Sequence, residues 1–126
     1  MSGSLVALCA DTTSLQHPES IGLAGENLAA QDWLRIFSSA EEARRFLRTD
    51  RLVDEVWVAS SDDVAPINLA ATLKRDRSDR CVCMLSFEDT GSLKSRMSAT
   101  GIDASLTRQA LAERYARRKQ AFACPW

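Results

Sequence analysis

The chain has 126 residues, enough for one domain that buries a hydrophobic core without disulfides. Its 17 acidic and 16 basic residues nearly balance, and this argues against nucleic acid or an anionic membrane surface as the main partner. No apolar run approaches the roughly 20 residues that span a bilayer, and no positive charge precedes the apolar start, which predicts a strand rather than a signal peptide. We therefore expect a cytoplasmic protein with no integral membrane segment.

Short apolar runs alternate with longer segments of helical periodicity, a pattern typical of βαβ units and a mainly parallel sheet. The apolar runs cover residues 5–10, 33–37, 55–59, 80–85 and 102–106. The fourth run is the most continuous, which predicts a central strand covered on both faces. Trp33 and Trp57 lie in or beside these strands and are expected in the core.

Helical segments separate the predicted strands and follow the last one. They cover residues 18–30, 38–52, 66–77, 91–101 and 108–123. Gly22 and Gly25 weaken the prediction of the first helix, because a glycine costs roughly 1 kcal/mol inside a helix. Ser38 or Ser39 is the expected N-cap of the second, and Pro66 opens the third. The alternation predicts an α/β fold, a three-layer α/β/α sandwich around a five-stranded parallel sheet.

The four cysteines, Cys9, Cys81, Cys83 and Cys124, lie mostly inside apolar runs. Cys81 and Cys83 are two residues apart in a predicted strand, so their side chains point to the same face and should both be buried. Reduced core thiols are the favoured interpretation, ahead of a disulfide and a metal site. With one histidine and no Cys-x-x-Cys pair, a zinc site is difficult to assemble, and we expect neither a metal nor a cofactor.

Residues 101–108, Gly-Ile-Asp-Ala-Ser-Leu-Thr-Arg, resemble the G-A-D-D-Y-L-x-K end of a response-regulator receiver domain. The fourth predicted strand runs into Ser86, where receivers carry Thr or Ser. The third runs into Ser60, where receivers place the phosphoacceptor aspartate. The resemblance covers nearly the whole chain and implies the flavodoxin-like receiver topology.

The phosphorylation site of this receiver-like chain is degenerate. Receivers need an acceptor aspartate after the third strand, an acidic pair that holds Mg²⁺ after the first, and a lysine after the fifth. The acceptor position here is Ser60, or Ser61 if the register slips, the acidic pair is reduced to Asp11, and the lysine position holds Arg108. The residues of this degenerate site are Asp11, Ser60, Ser61, Asp62, Ser86 and Arg108.

The residues of the degenerate site are expected to gather at the carboxyl edge of the sheet, and several interpretations of this polar edge remain open. Its residues could simply cap helices and turns, which is the commonest role of Asp and Ser at such positions. A phosphoacceptor switch could instead use Asp62 or Asp63 in an altered geometry. A third alternative is a small-ligand sensor, because ligands of open α/β sheets bind at the carboxyl ends of the strands. A hydrolase is not indicated, since no base or oxyanion hole accompanies Ser60.

Degenerate receivers of this kind are similar to the N-terminal domain of the TadZ/CpaE group of pilus-assembly localisation ATPases. In that group the atypical receiver precedes a P-loop ATPase domain, and this chain has no G-x-x-x-x-G-K-[ST] motif. The resemblance implies a receiver-like domain over residues 1–123. Residues 124–126 would then begin a linker to a fused ATPase domain.

The predicted last helix carries a basic cluster beside an aromatic residue. Receivers commonly pair through the fourth helix, fifth strand and fifth helix, and this implies a homodimer through residues 92–123. The expected interface residues are Arg114, Tyr115, Arg117 and Arg118. The alternative is that the arginines form only the solvated face of a last helix. The favoured function is a non-catalytic regulatory or localisation module, not an enzyme, that acts through protein–protein contacts.

Overall fold

The computed structural model describes residues 5–50, 52–59, 64–76, 79–85 and 102–123. The strands are β1 (Leu5–Ala10), β2 (Leu34–Phe37), β3 (Val53–Ala59), β4 (Cys81–Leu85) and β5 (Ala104–Leu106). The described helices are α1 (Thr12–Gln16), α2 (Ala40–Thr49), α3 (Val64–Asp76) and α4 (Arg108–Ala123), with 3₁₀ turns at Pro18–Ile21 and Leu28–Ala30. The helix expected over residues 91–101 lies outside the described residues. Across the described ranges, no helix is both long and apolar enough to cross a membrane.

The strands form one sheet in the order β2-β1-β3-β4-β5, and each neighbouring pair is parallel. β1 is buried along its whole length because it lies between two strands and under helices on both faces. β4 is also an interior strand, as its apolar run predicts, whereas β5 is a three-residue strand at the edge. The predicted parallel sheet is therefore confirmed.

The sheet divides the core into two parts, and helices cover each of them. α2 and α3 cover one face, while α4 and the segment before β2 cover the other. The buried helix residues of the first part are Ala43, Leu47, Ala70 and Leu73; the second part contains Ile21, Leu23, Leu28, Leu111 and Tyr115. Trp33 and Trp57 are buried in the second part, as expected.

β3 carries one irregularity in its pairing with β1. Leu5 pairs with Val53 but Val6 pairs with Glu55, so Asp54 is an extra residue in β3. Side chains alternate between faces along a regular strand. Because of the extra residue, Val53 joins Val56 in the core under α2 and α3, while Glu55 shares the α4 face with Trp57.

The helix predicted over residues 18–30 is wrong. The structure has α1 before this segment and only 3₁₀ turns within it. Gly22 and Gly25 have φ angles of 87° and 79°, in the left-handed region that a right-handed helix cannot include. The turns nevertheless pack three apolar side chains of the segment on the sheet, those of Ile21, Leu23 and Leu28.

Gly22→Ala is expected to destabilise the fold much more than Gly25→Ala. An added Cβ at Gly22 would lie 2.4 Å from the carbonyl oxygen of Arg108, whereas a Cβ at Gly25 meets nothing within 4 Å. Both variants put alanine in a left-handed conformation, which costs about 1–2 kcal/mol, and overpacking adds about 1–3 kcal/mol at Gly22 alone. Urea denaturation of both variants measures the difference, and equal losses would contradict the close packing.

α2 begins as predicted but ends earlier. Ser39 is its N-cap and accepts a hydrogen bond from the backbone N–H of Glu42 at 3.4 Å. The helix ends at Thr49, before the predicted residue 52, because the Asp50 carboxylate accepts hydrogen bonds from the backbone N–H groups of Leu52 and Val53. These bonds fix a turn that leads directly into β3.

Arg80 joins this turn to the rest of the molecule. It was expected at the start of the fourth strand, but it precedes β4 and its side chain is buried, with 2% of the residue exposed. Its guanidinium donates to three backbone carbonyl oxygens, those of Val53 at 2.9 Å, Leu47 at 3.2 Å and Asp50 at 2.9 Å. The end of α2 and the start of β3 are thus held by one side chain.

Candidate functional site

The carboxyl ends of β1 and β3 lie side by side, because Ala10 pairs with Ala59. Asp11 follows β1 and stands at the N-cap position of α1, where its carboxylate accepts a hydrogen bond from the Ser14 hydroxyl at 2.5 Å. Ser60 follows Ala59 in the sequence. Among the residues that the structure describes, Asp11 is the only carboxylate directly after a strand. One carboxylate is a poor Mg²⁺ site, since the ion needs several oxygen ligands.

Arg108 begins α4 at the same edge of the sheet, after β5. β3 and β4 separate β1 from β5, so the strands that carry Asp11 and Arg108 are about 14 Å apart. Thr107 caps α4 by accepting a hydrogen bond from the backbone N–H of Ala110 at 3.0 Å. The remaining predicted site residues lie outside the described residues: Ser60, Ser61, Asp62, Asp63 and Ser86.

The residues expected at a dimer interface mostly have partners inside the chain. Arg114 donates to Glu55 Oε2 at 2.8 Å, and Arg118 donates to Glu55 Oε1 at 2.9 Å. Tyr115 is 1% exposed, and its ring packs against Trp33 with centroids 5.1 Å apart. Arg117 is the exposed member of the set. The structure thus turns three of the four side chains toward this domain's own sheet.

Glu55 was absent from the sequence-based candidates, yet it is the centre of these contacts. It is 8% exposed, and its Oε2 atom also accepts a hydrogen bond from the Trp57 indole N–H at 2.7 Å. Arg118 further approaches Asp54 Oδ1 at 3.3 Å. We call Arg114 and Arg118 the arginine pair. The pair neutralises a carboxylate that would otherwise be buried without compensation.

Two thiols lie beside Glu55 and Trp57 on the face of the sheet that α4 covers. Glu55 pairs with Cys81 and Trp57 with Cys83 in the β3–β4 register, so all four side chains point the same way. The two sulfur atoms are 3.7 Å apart, and one ligand atom from each of Glu55, Cys81 and Cys83 lies within 4.8 Å of the others. We call these three residues the thiol–carboxylate cluster.

The two thiols differ in exposure. Cys83 is fully buried, as the central strand predicts, but Cys81 is only partly buried, which corrects the expectation that both would be enclosed. Burial raises the pKa of the Cys83 thiol to about 12, and the neighbouring Cys81 adds to the effect. The Cys83 thiol is therefore protonated at neutral pH unless a cation replaces its proton.

A sequence signal for the cluster exists, but it is incomplete. Glu55 and Trp57 are two residues apart in one strand, and Cys81 and Cys83 are two apart in the next. Alternation shows that each pair shares a face, but only the observed register shows that the pairs lie side by side.

Asp103, another acid near the predicted interface, already binds Lys74 Nζ at 2.9 Å and the Val82 N–H at 2.8 Å.

Solved structures similar to this chain include response-regulator receivers. A CheY-like receiver domain protein from Methanospirillum hungatei is 14% identical, with a TM-score of 0.62 over 94% of this chain and 95% of that one. An atypical orphan response regulator, described as having a phosphorylation-independent regulatory mechanism, is 17% identical, with a TM-score of 0.58 over 92% and 96%. A pilus assembly-related protein from Burkholderia pseudomallei is 14% identical, with a TM-score of 0.58 over 100% and 96%.

A scan against protein-family models finds no match, and no curated protein matches the sequence. At the identities above, the structural similarity establishes the fold and not the activity. The chain has the flavodoxin-like receiver fold, with a parallel sheet between helices.

Proposed function

We propose that the chain is a non-catalytic receiver-like module that regulates or localises other proteins without aspartyl phosphorylation. The observation that supports this proposal is the identity of the residues that follow β1 and β3 at the carboxyl edge of the sheet. The register puts Ala59 beside Ala10, so the residues that follow in the sequence are Ser60 and Asp11. A receiver needs an aspartate at the first position and a pair of acids at the second.

The chemistry of phosphoryl transfer explains why this edge is unsuitable. Mg²⁺ must neutralise the incoming phosphoryl group, and a carboxylate must attack it. A serine hydroxyl is a weak nucleophile unless a neighbouring base activates it. The Asp11 carboxylate is the one described acid that could hold the ion, and it already accepts a hydrogen bond from Ser14. A similar fold is found in an orphan regulator with a phosphorylation-independent mechanism.

Protein contacts are the proposed mode of action, with a second copy of the chain as the first candidate partner. The exposed side of α4 is the surface that the receiver resemblance implies. Arg117 is available on this surface, whereas Arg118 is held by Glu55 and Asp54. A charge reversal that probes pairing is therefore best confined to Arg117, because Arg118→Glu would also break an intramolecular ion pair.

A role in pilus assembly, in the manner of the TadZ/CpaE group, is the finer form of the proposal. Its support is the resemblance of the sequence to the degenerate receivers of that group and the similarity of the fold to a pilus assembly-related protein. A P-loop motif encoded downstream of residue 126 would strengthen it, since the chain itself carries none.

Acetyl phosphate with Mg²⁺ is expected to leave both the intact mass and the sedimentation coefficient of the protein unchanged. The reason is that the acceptor position holds a serine and the acidic pair is incomplete. Mass spectrometry and sedimentation velocity before and after treatment provide the measurement, with an ordinary receiver as positive control. Addition of one phosphoryl group, lost in Asp62→Asn or Asp63→Asn, would instead establish the phosphoacceptor alternative.

A further inference from the structure

We propose that the thiol–carboxylate cluster binds a single thiophilic metal ion of the Zn²⁺ type, with Cys81, Cys83 and Glu55 as ligands. This site is separate from the carboxyl edge of the sheet. It lies beneath α4, toward the end of the sheet where β3 and β4 begin. The sequence expectation of no zinc site considered only cysteine and histidine ligands, and the structure adds a buried carboxylate.

The spacing of the two sulfur atoms fits tetrahedral coordination. Two thiolates bound to zinc at about 2.3 Å are about 3.8 Å apart when the angle between them is tetrahedral. The Cys81 and Cys83 sulfur atoms are 3.7 Å apart. A metal ion could therefore bridge them without movement of the strand. A disulfide could not, since its sulfur atoms must approach to about 2.05 Å.

Glu55 can contribute an oxygen without losing its present partners. Its Oε2 atom accepts hydrogen bonds from Trp57 and Arg114, which occupy both lone pairs of that atom. Its Oε1 atom accepts from Arg118, the one partner of Oε1 among the described residues. The second lone pair of Oε1 is the ligand position. The arginine pair then fixes the orientation of the carboxylate, as outer hydrogen-bond partners of metal ligands do.

The charge of the cluster does not oppose the binding of a divalent cation. With neutral thiols, Glu55 and the arginine pair carry a formal net charge of +1. Binding releases the two thiol protons to solvent and brings in two positive charges, so the formal charge of the occupied site is again +1. When the ion binds, the arginine pair therefore gains two thiolates and one divalent cation as neighbours, and the net charge around it does not change.

The surroundings of the cluster allow an ion to enter and a fourth ligand to bind. Cys81 is partly exposed. A cavity of about 270 Å³, lined by Glu55, Arg114, Arg117 and Arg118, opens beside the carboxylate. A water molecule in this cavity is the expected fourth ligand, which completes the coordination that three protein ligands leave open.

Titration of the reduced full chain with Zn²⁺, and separately with Co²⁺, tests the site. The expected result is one ion per chain, a thiolate-to-cobalt charge-transfer band with the visible bands of tetrahedral cobalt, and a higher unfolding temperature with the ion bound. Cys81→Ser and Cys83→Ala should each weaken binding at least about tenfold, since even loss of an outer partner typically costs 10- to 100-fold.

Cys9→Ala is the matched control, because Cys9 is a buried thiol on the opposite face of the same sheet. It should leave the affinity unchanged, as should Cys124→Ala. Cys81→Ser is the decisive variant if Cys83→Ala fails to fold, because Cys81 is partly exposed. Absence of stoichiometric binding to the wild-type chain overturns the proposal, and so does binding that survives Cys81→Ser or disappears in Cys124→Ala.

Discussion

Arg80→Met should lower the free energy of unfolding by about 3–5 kcal/mol. The guanidinium donates to the carbonyl oxygens of Leu47, Asp50 and Val53 while it is almost fully buried. A hydrogen bond to a charged group contributes about 1.5–3 kcal/mol, and the variant would leave three acceptors without this donor. Urea denaturation followed by circular dichroism provides the measurement.

Two control variants separate the geometry of this side chain from its charge. Arg80→Lys keeps the charge but cannot reach three carbonyls at once, so it should recover only part of the loss. Arg44→Met removes a guanidinium of α2 that is 40% exposed and forms an ion pair with Asp76 at 3.4 Å. That change should cost less than about 1 kcal/mol. Similar stabilities for Arg80→Met and Arg44→Met would contradict the role assigned to Arg80.

Glu55→Ala is expected to cost about 2–4 kcal/mol when measured with a chelator present, so that metal binding does not contribute. The substitution leaves the arginine pair without its shared carboxylate and the buried Trp57 indole N–H without its acceptor. Removing one partner of a fully buried pair costs about 3–5 kcal/mol, and the partial exposure of both arginines lowers that figure.

Glu41→Ala is the comparison variant for Glu55→Ala. Glu41 pairs with Arg45 on the surface of α2, where both side chains are more than three-quarters exposed. Its removal should change the stability by less than about 0.5 kcal/mol. A combined change of Glu55 to Leu and of the arginine pair to Met should recover part of the loss, because apolar packing often replaces a buried ion pair without cost. Failure of that variant to improve on Glu55→Ala would show that the ion pairs themselves are required.

The sequence predicts the sheet well because each strand is a short apolar run between clear breaks. β1 and α4 have the bounds that were expected, 5–10 and 108–123. The helix prediction for residues 18–30 fails because an apolar stripe can be buried by turns as well as by a helix. The two glycines adopt left-handed φ angles, which favour turns. Burial of Ile21 and Leu23 could thus be predicted while their backbone could not.

The candidate sites divide in the same way. The degenerate carboxyl edge follows from which residue comes after each strand, which the sequence alone can show. The environment of Glu55 could not be predicted, because it needs the β3–β4 register and the orientation of α4 over the sheet. Arginines on a last helix are usually solvated, and periodicity alone does not distinguish Arg117, which is exposed, from Arg118, which is half-buried.

The extra residue in β3 lets Val53 and Glu55 point to opposite faces of the sheet although they are two positions apart in the sequence. If Asp54 were deleted, Val53 and Glu55 would become adjacent in a regular strand, and the normal alternation would keep each side chain on its present face. The contact between Asp54 and Arg118 would be lost with it. Homologous chains could therefore lack a residue at this position and still keep both the core under α2 and α3 and the thiol–carboxylate cluster.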